Sequence, residues 1–155
     1  MLNKYKNVEW PYIYKLIFSN TTYINFEESV KVIKRDLLKN LIEIKNSGKK
    51  IIAYGAAAKG MTLLNASNIH LDCVIDDNPL KQGLYCPGTT IPVVSIGWLA
   101  GLKDPREKVV FIPLAWNFYA EIKRKILAVR NNSNDVFLRY FPTIKTESNE
   151  TGTTT

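Results

Sequence analysis

The residues best suited to chemistry fall in four short stretches. The first is Gly55-Ala56-Ala57-Ala58-Lys59-Gly60, a turn of small residues between an apolar run and a helical pattern. A junction of this kind points backbone N–H groups and the positive end of a helix dipole outward, which suits a phosphate. Small side chains let a ligand approach the backbone, and Lys59 adds a point charge. The pattern is not G-x-G-x-x-G, and it is not the P-loop with its G-K-[ST]. Tight packing of strand on helix explains the same residues, and the turn alone does not separate the two readings.

Asp76 and Asp77 come about 20 residues after the glycine turn, where dinucleotide-binding folds place an acid on a ribose hydroxyl. Turn chemistry with Asn78-Pro79 explains this pair more simply. Asn78, Lys81 and Gln82 lie in a loop at the end of a predicted strand, where α/β folds bind ligands. Lys81 is suited to a phosphate or to solvent. Trp116 and Asn117 follow another strand on the same edge; a ring and an amide there suit a nucleotide, although Asn117 also suits a helix cap. His70 has no visible orienting partner and is not read as a catalytic base. The chain has no G-x-S-x-G, no Cys–His pairing and no metal motif.

These stretches are positioned by alternating elements. Residues 1–24 form an aromatic arm with Tyr5, Trp10, Tyr12, Tyr14, Phe18 and Tyr23, interrupted by Pro11. Asn25 opens a helix as N-cap with Glu28 in capping-box position. Val30, Ile33, Leu37, Leu41 and Ile44 give it one apolar stripe, and Gly48 ends it. Ile51–Gly55 and Leu71–Ile75 read as buried strands. Residues 78–92 form a long loop of the kind that is usually functional. Val93-Val94 is a short strand, and Ser95 caps a helix. A strand over Lys108–Ile112, a helix from Trp116 and a strand at Val136–Leu138 complete the order. The alternation predicts an α/β fold, a three-layer Rossmann-like parallel sheet with flanking helices over residues 25–145.

Length predicts one domain. The tail from Thr146 to Thr155 has no apolar residue and is expected to be disordered. The net charge of +7 fits a solvated surface or an anionic partner such as a nucleotide. The basic residues spread along helices and do not cluster with aromatics, which argues against nucleic acid. Two cysteines and one histidine cannot furnish a zinc site. Cys73, in an apolar run, reads as a buried thiol, and the cysteine usage favours the cytoplasm. No apolar run is long enough for a membrane span, and the first residues do not form a signal peptide.

Four segments together resemble the C-terminal domain of S-adenosylmethionine-dependent sugar C-methyltransferases. Residues 54–65, YGAAAKGMTLLN, are similar to the family pattern YGAxAKGNTLLN. Residues 76–93, DDNPLKQGLYCPGTTIPV, are similar to DxxPxKQGxYxPGTxIPV. Pro113-Leu114-Ala115-Trp116-Asn117 matches a WN motif after a strand, and Arg139-Tyr140-Phe141-Pro142 a strand ending in proline. The likeness covers roughly residues 26–145. Met61 stands where the family has Asn, which removes a polar contact near the turn.

The resemblance implies a domain that packs on a methyltransferase domain, with a nucleotide-linked deoxysugar between the two. Gly55, Ala56, Lys59, Gly60, Asn78, Lys81, Gln82, Trp116 and Asn117 would line the acceptor side, and no residue is assigned a catalytic role. The zinc module, donor-binding loop and catalytic stretch of the full enzymes have no counterpart in the 155 residues. S-adenosylmethionine is thus implied for the full enzyme and not for this domain alone. The domain is part of a longer enzyme, or acts with a partner chain that binds the donor. The alternative is a stand-alone nucleotide or nucleotide-sugar binding module without activity. The surplus of aromatics predicts an exposed apolar patch, covered by a homodimer mate or by the methyltransferase partner, unless the arm folds back on its own core.

Overall fold

The apolar stripe lies on a 27-residue helix, α1 (Asn20–Asn46). The computed structural model describes residues 19–67, 69–102, 104, 106–141 and 144–149. Ser19 precedes α1 in extended conformation, and its carbonyl accepts the N–H groups of Thr22 and Tyr23. The expected start at Asn25 is corrected. Asn25 is inside the helix with its carbonyl accepting Ser29 Oγ, and Glu28 pairs with Lys31 instead of closing a capping box. Nothing in Asn20–Ile24 breaks a helix, since each residue costs less than about 0.7 kcal/mol relative to Ala. A helix already formed extends through such residues. Residues 20–24 therefore belong to α1 and not to an arm; residues 1–18 lie outside the described residues. At the other end Gly48 takes φ 74° and donates to the Lys45 carbonyl, the left-handed stop expected of it.

The chain continues through β1 (Lys50–Tyr54), α2 (Ala58–Ser67), β2 (Cys73–Ile75), β3 (Val93–Val94) and a 3-10 turn at Ile96–Gly101. Then come β4 (Val109–Pro113), a 3-10 turn at Trp116–Phe118, α3 (Tyr119–Val129), β5 (Val136–Arg139) and β6 (Lys145–Ser148). The sheet order is β3-β2-β1-β4-β5-β6, parallel except for β6. In β1, Ile51 and Ala53 face one way, into a core with Leu37, Leu41, Leu64, Val110 and Ile112. Ile52 and Tyr54 face the other way, toward Phe111, Ile122, Ile126 and Phe137. The two-residue period of a strand sorts the side chains between layers, and burial on both faces explains the unbroken apolar runs. The α/β, three-layer Rossmann-like reading is therefore correct.

The amino edge of the sheet is tied by charge. Arg130 and Asp135 form a buried ion pair at 2.9 Å. Arg130 also donates to the carbonyls of Leu102 and Glu107, and Asp135 accepts Val109 N–H. Burial pushes the Asp135 carboxyl up, and Arg130 opposes that shift. The pair joins the starts of β4 and β5 to the loop before β4.

The tail expectation also needs correction over residues 146–149; residues 150–155 lie outside the described residues. Lys145–Ser148 is the edge strand β6, running antiparallel to β5 from Arg139↔Lys145 to Val136↔Ser148. Glu147 pairs with Lys123 of α3 at 2.8 Å, and the buried Asn149 donates to the Asn132 carbonyl. An edge strand is held by backbone hydrogen bonds to its neighbour, so it needs no apolar side chains, and composition alone does not reveal it.

α1 joins β1 through a tight turn and packs on it, so it runs back against the strand direction. It is about 40 Å long, against roughly 17 Å for β1. Its first turns therefore overshoot the carboxyl edge of the sheet. Residues 21–32 are all exposed, including Phe26 at 69%.

Candidate functional site

β1 and β4 are neighbours whose connections leave on opposite faces of the sheet. α2 joins α1 on one face, through Met61 and Leu64, and α3 covers the other through Ile122 and Ile126. This is the reversal point at which open α/β sheets form a crevice. Gly55 makes the turn after β1 with φ 101°, a conformation that favours glycine. Gly60 meets a different need. A Cβ there would lie 2.9 Å from Leu114 Cβ and Cδ1, so its absence lets α2 pack against the end of β4. The packing explanation of the glycine turn thus holds at Gly60, and the backbone turn itself accounts for Gly55. Lys59 is exposed on the first turn of α2, whose N–H groups have no intrahelical acceptors.

Asp76 braces this turn from the end of β2. One oxygen accepts Ala56 N–H at 2.7 Å and Lys81 Nζ at 3.2 Å; the other accepts Asn78 N–H at 2.9 Å. Lys81 Nζ also donates to the Ala56 carbonyl at 2.9 Å, and Gln82 Nε2 to the Asp76 carbonyl at 2.9 Å. The carboxylate at the ribose-reading position is therefore taken up by the protein, in accord with the turn reading. Asn78 turns its amide oxygen to Leu80 N–H. The loop beyond folds into a narrow flap. Gly83 N–H donates to the Val93 carbonyl, Cys86 N–H to the Ile91 carbonyl, and Tyr85 bridges to Pro92.

Asp77 faces the other way, toward α3. Its carboxylate accepts the Tyr54 hydroxyl at 2.5 Å and Lys125 Nζ at 2.9 Å, and Lys125 also reaches Glu121 at 3.0 Å. The Tyr54 bond, with Lys125, holds the Asp77 carboxyl below the usual range. Burial and Asp77 push the Tyr54 phenol up, and the two carboxylates raise the Lys125 ammonium. These groups line a cavity of about 260 Å³ with Gly55, Asp76, Ala115, Phe118 and Ile122. Trp116 stands nearby in sequence, tilted on Phe141 with ring centres 4.7 Å apart.

The model of the C-methyltransferase C-terminal domain matches residues 15–142. The chain belongs to that family. This C-methyltransferase C-terminal domain is also similar to the C-methyltransferase NovU of Streptomyces niveus, 33% identical over 98 residues. That match covers 61% of this chain and 22% of NovU, so the chain spans about a fifth of its relative's length.

Of the residues proposed from sequence, the C-methyltransferase C-terminal domain gathers Gly55, Ala56, Lys59, Asn78, Lys81 and Gln82 around the turns after β1 and β2. Trp116 and Asn117 are exposed after β4 on the same edge. Gly60 is buried under Leu114, and the polar ends of Lys81 and Gln82 are engaged in the Asp76 brace. Sequence reasoning missed the Tyr54–Asp77–Lys125 network. Its signal was faint: a tyrosine closing an apolar strand ahead of the glycine turn. Among the described residues no group of acids, cysteines and histidines is placed to hold a metal, and no helix is long and apolar enough to cross a membrane.

Proposed function

We propose that this domain supplies the acceptor side of a sugar C-methyltransferase, holding a nucleotide-linked sugar at the carboxyl edge of its sheet. The donor, S-adenosylmethionine, belongs to a methyltransferase domain in the same chain or in a partner chain. The observation that carries this reading is the glycine turn at the strand-order reversal. It is braced by Asp76 and Lys81 and opens onto the start of α2 with Lys59 beside it. Such a turn favours an anion, so a diphosphate fits there. The donor fits poorly. Its sulfonium is a cation, and the carboxylate that would hold its ribose already accepts Ala56, Asn78 and Lys81. The exposed rings of Tyr23, Phe26 and Phe118 lie on or beyond this edge and suit a covering domain or a second copy.

Binding measurements on the purified chain test the reading. A thermal-shift screen should show stabilisation by nucleotide sugars and none by S-adenosylmethionine. The chain alone should transfer no labelled methyl group, and transfer should appear when a donor-binding methyltransferase domain is added. Binding of the nucleotide sugar with no transfer under any pairing would favour a stand-alone binding module. Binding of S-adenosylmethionine alone would refute the acceptor reading.

A further inference from the structure

The Asp76 brace leaves an asymmetry in the crevice. Asp76, the acid that open α/β sheets aim at a sugar hydroxyl, borders the cavity but is buried and holds three donors from the protein, while its neighbour Asp77 is the exposed carboxylate. Asp77 is half exposed, with a carboxylate fixed from two sides by Tyr54 and Lys125. Tyr54 is buried, 4% exposed, so its hydroxyl is a rigid post. Each Asp77 oxygen holds one donor from the protein and retains capacity for another. Gly55 belongs both to the turn and to the wall of the 260 Å³ cavity in front of Asp77. A group bonded to a phosphate at the turn would have this cavity beside it. Whole drug-sized ligands need roughly 300–1,000 Å³, so the space matches one ring and not an entire nucleotide sugar.

We propose that Asp77, positioned by Tyr54 and Lys125, reads the hydroxyls of a sugar ring joined to the phosphate at the glycine turn, with the exposed Phe118 ring against its carbon face. The proposal rests on the phosphate-linked ligand of the preceding reading. The chemistry favours hydroxyls over the alternatives. A second phosphate would meet the Asp77 and Glu121 carboxylates. A cation would have to displace Lys125, which already bridges both. A hydroxyl donates to the free capacity of Asp77 without disturbing either bond. The same chemistry serves the pentose of a nucleoside or the appended hexose.

Calorimetry on the 155-residue chain with inorganic pyrophosphate, glucose 1-phosphate, uridine diphosphate and UDP-glucose tests this. Asp77→Asn should weaken at least one sugar-bearing ligand about tenfold while leaving pyrophosphate unchanged or tighter, since a nearby negative charge is lost. Loss confined to uridine diphosphate and UDP-glucose identifies the pentose; loss with glucose 1-phosphate identifies the hexose. Tyr54→Phe should weaken the same ligands less, and should raise the pH at which the Asp77 carboxyl carbon titrates by NMR. Unchanged affinity for all sugar ligands in Asp77→Asn overturns the proposal, as does an equal loss for pyrophosphate. If the wild-type chain binds pyrophosphate and sugar phosphates equally, the sugar site falls and the phosphate site stands. If it binds none of the four probes, both fall.

Discussion

Replacing Asp76 by Ala removes the acceptor for three donors at once. The carboxylate is 8% exposed and accepts Ala56 N–H, Asn78 N–H and Lys81 Nζ. A hydrogen bond to a charged group contributes about 1.5–3 kcal/mol when its loss leaves a buried donor unpaired. Ala56 N–H is half-buried and takes that range. Asn78 is exposed, and water replaces much of its bond. The Lys81 side chain is 39% exposed, so its ion pair contributes at most about 1 kcal/mol. Together these predict a loss of about 2–4 kcal/mol, or a melting temperature lower by about 10 °C for a domain of this size. Urea unfolding followed by circular dichroism without ligand measures it. Lys81→Ala should lose no more than about 1 kcal/mol in the same assay. A loss below about 1 kcal/mol for Asp76→Ala, with an unchanged denaturant slope, would refute the brace and return Asp76 to ligand binding.

Lys59→Ala should weaken pyrophosphate binding about tenfold by calorimetry with no change in melting temperature, because the side chain is exposed at the start of α2. Gly60→Ala places a methyl 2.9 Å from Leu114 and should cost about 1–3 kcal/mol in urea unfolding despite the better helix propensity of Ala; a stabilised variant would show that α2 does not press on β4. The Asp77 carboxyl is depressed in the folded state, so its stabilisation is complete above the ordinary value of 3.8 and lost as pH falls below it. The stability difference between wild type and Asp77→Asn should accordingly shrink from pH 5 to pH 2, and a difference constant across that window would contradict the pairing. Burial pushes the Cys73 thiol up to about 12, and that of Cys86 upward as well. Neither should react with a thiol reagent at pH 8 until the chain unfolds, and rapid labelling of the native protein would show a looser core than described.

The sequence reveals elements whose stabilisation is local or periodic. The apolar runs of β1 and β4, the α1 stripe and the Gly48 stop are all visible because each depends on neighbours within a few residues. The carboxyl-edge location of Lys59, Lys81 and Trp116 follows from strand direction alone. What escapes is pairing over distance. Tyr54 meets Asp77 across 23 residues and Lys125 meets Asp77 across 48, and no spacing rule links them. Lys81 shows the same limit: its place in the loop is legible, but its capture by Asp76 and the Ala56 carbonyl is not. The start of α1 is not legible because Asn25 and Glu28 imitate a cap while the residues before them also tolerate a helix. β6 escaped because backbone bonding, and not composition, holds it.

The overshoot of α1 fixes where Ser19 stands relative to the sheet. A helix sunk in the core at Leu37 and Leu41 is a rigid rod, and Ser19 at its tip stands beyond the carboxyl edge, on the side of the glycine turn. A module joined ahead of Ser19 starts its search from that side and not from the far end of the sheet. Tethering over a short span holds two surfaces together at roughly millimolar effective concentration. A contact whose dissociation constant lies well below that concentration would then be populated most of the time, on the side of the sheet where α1 begins.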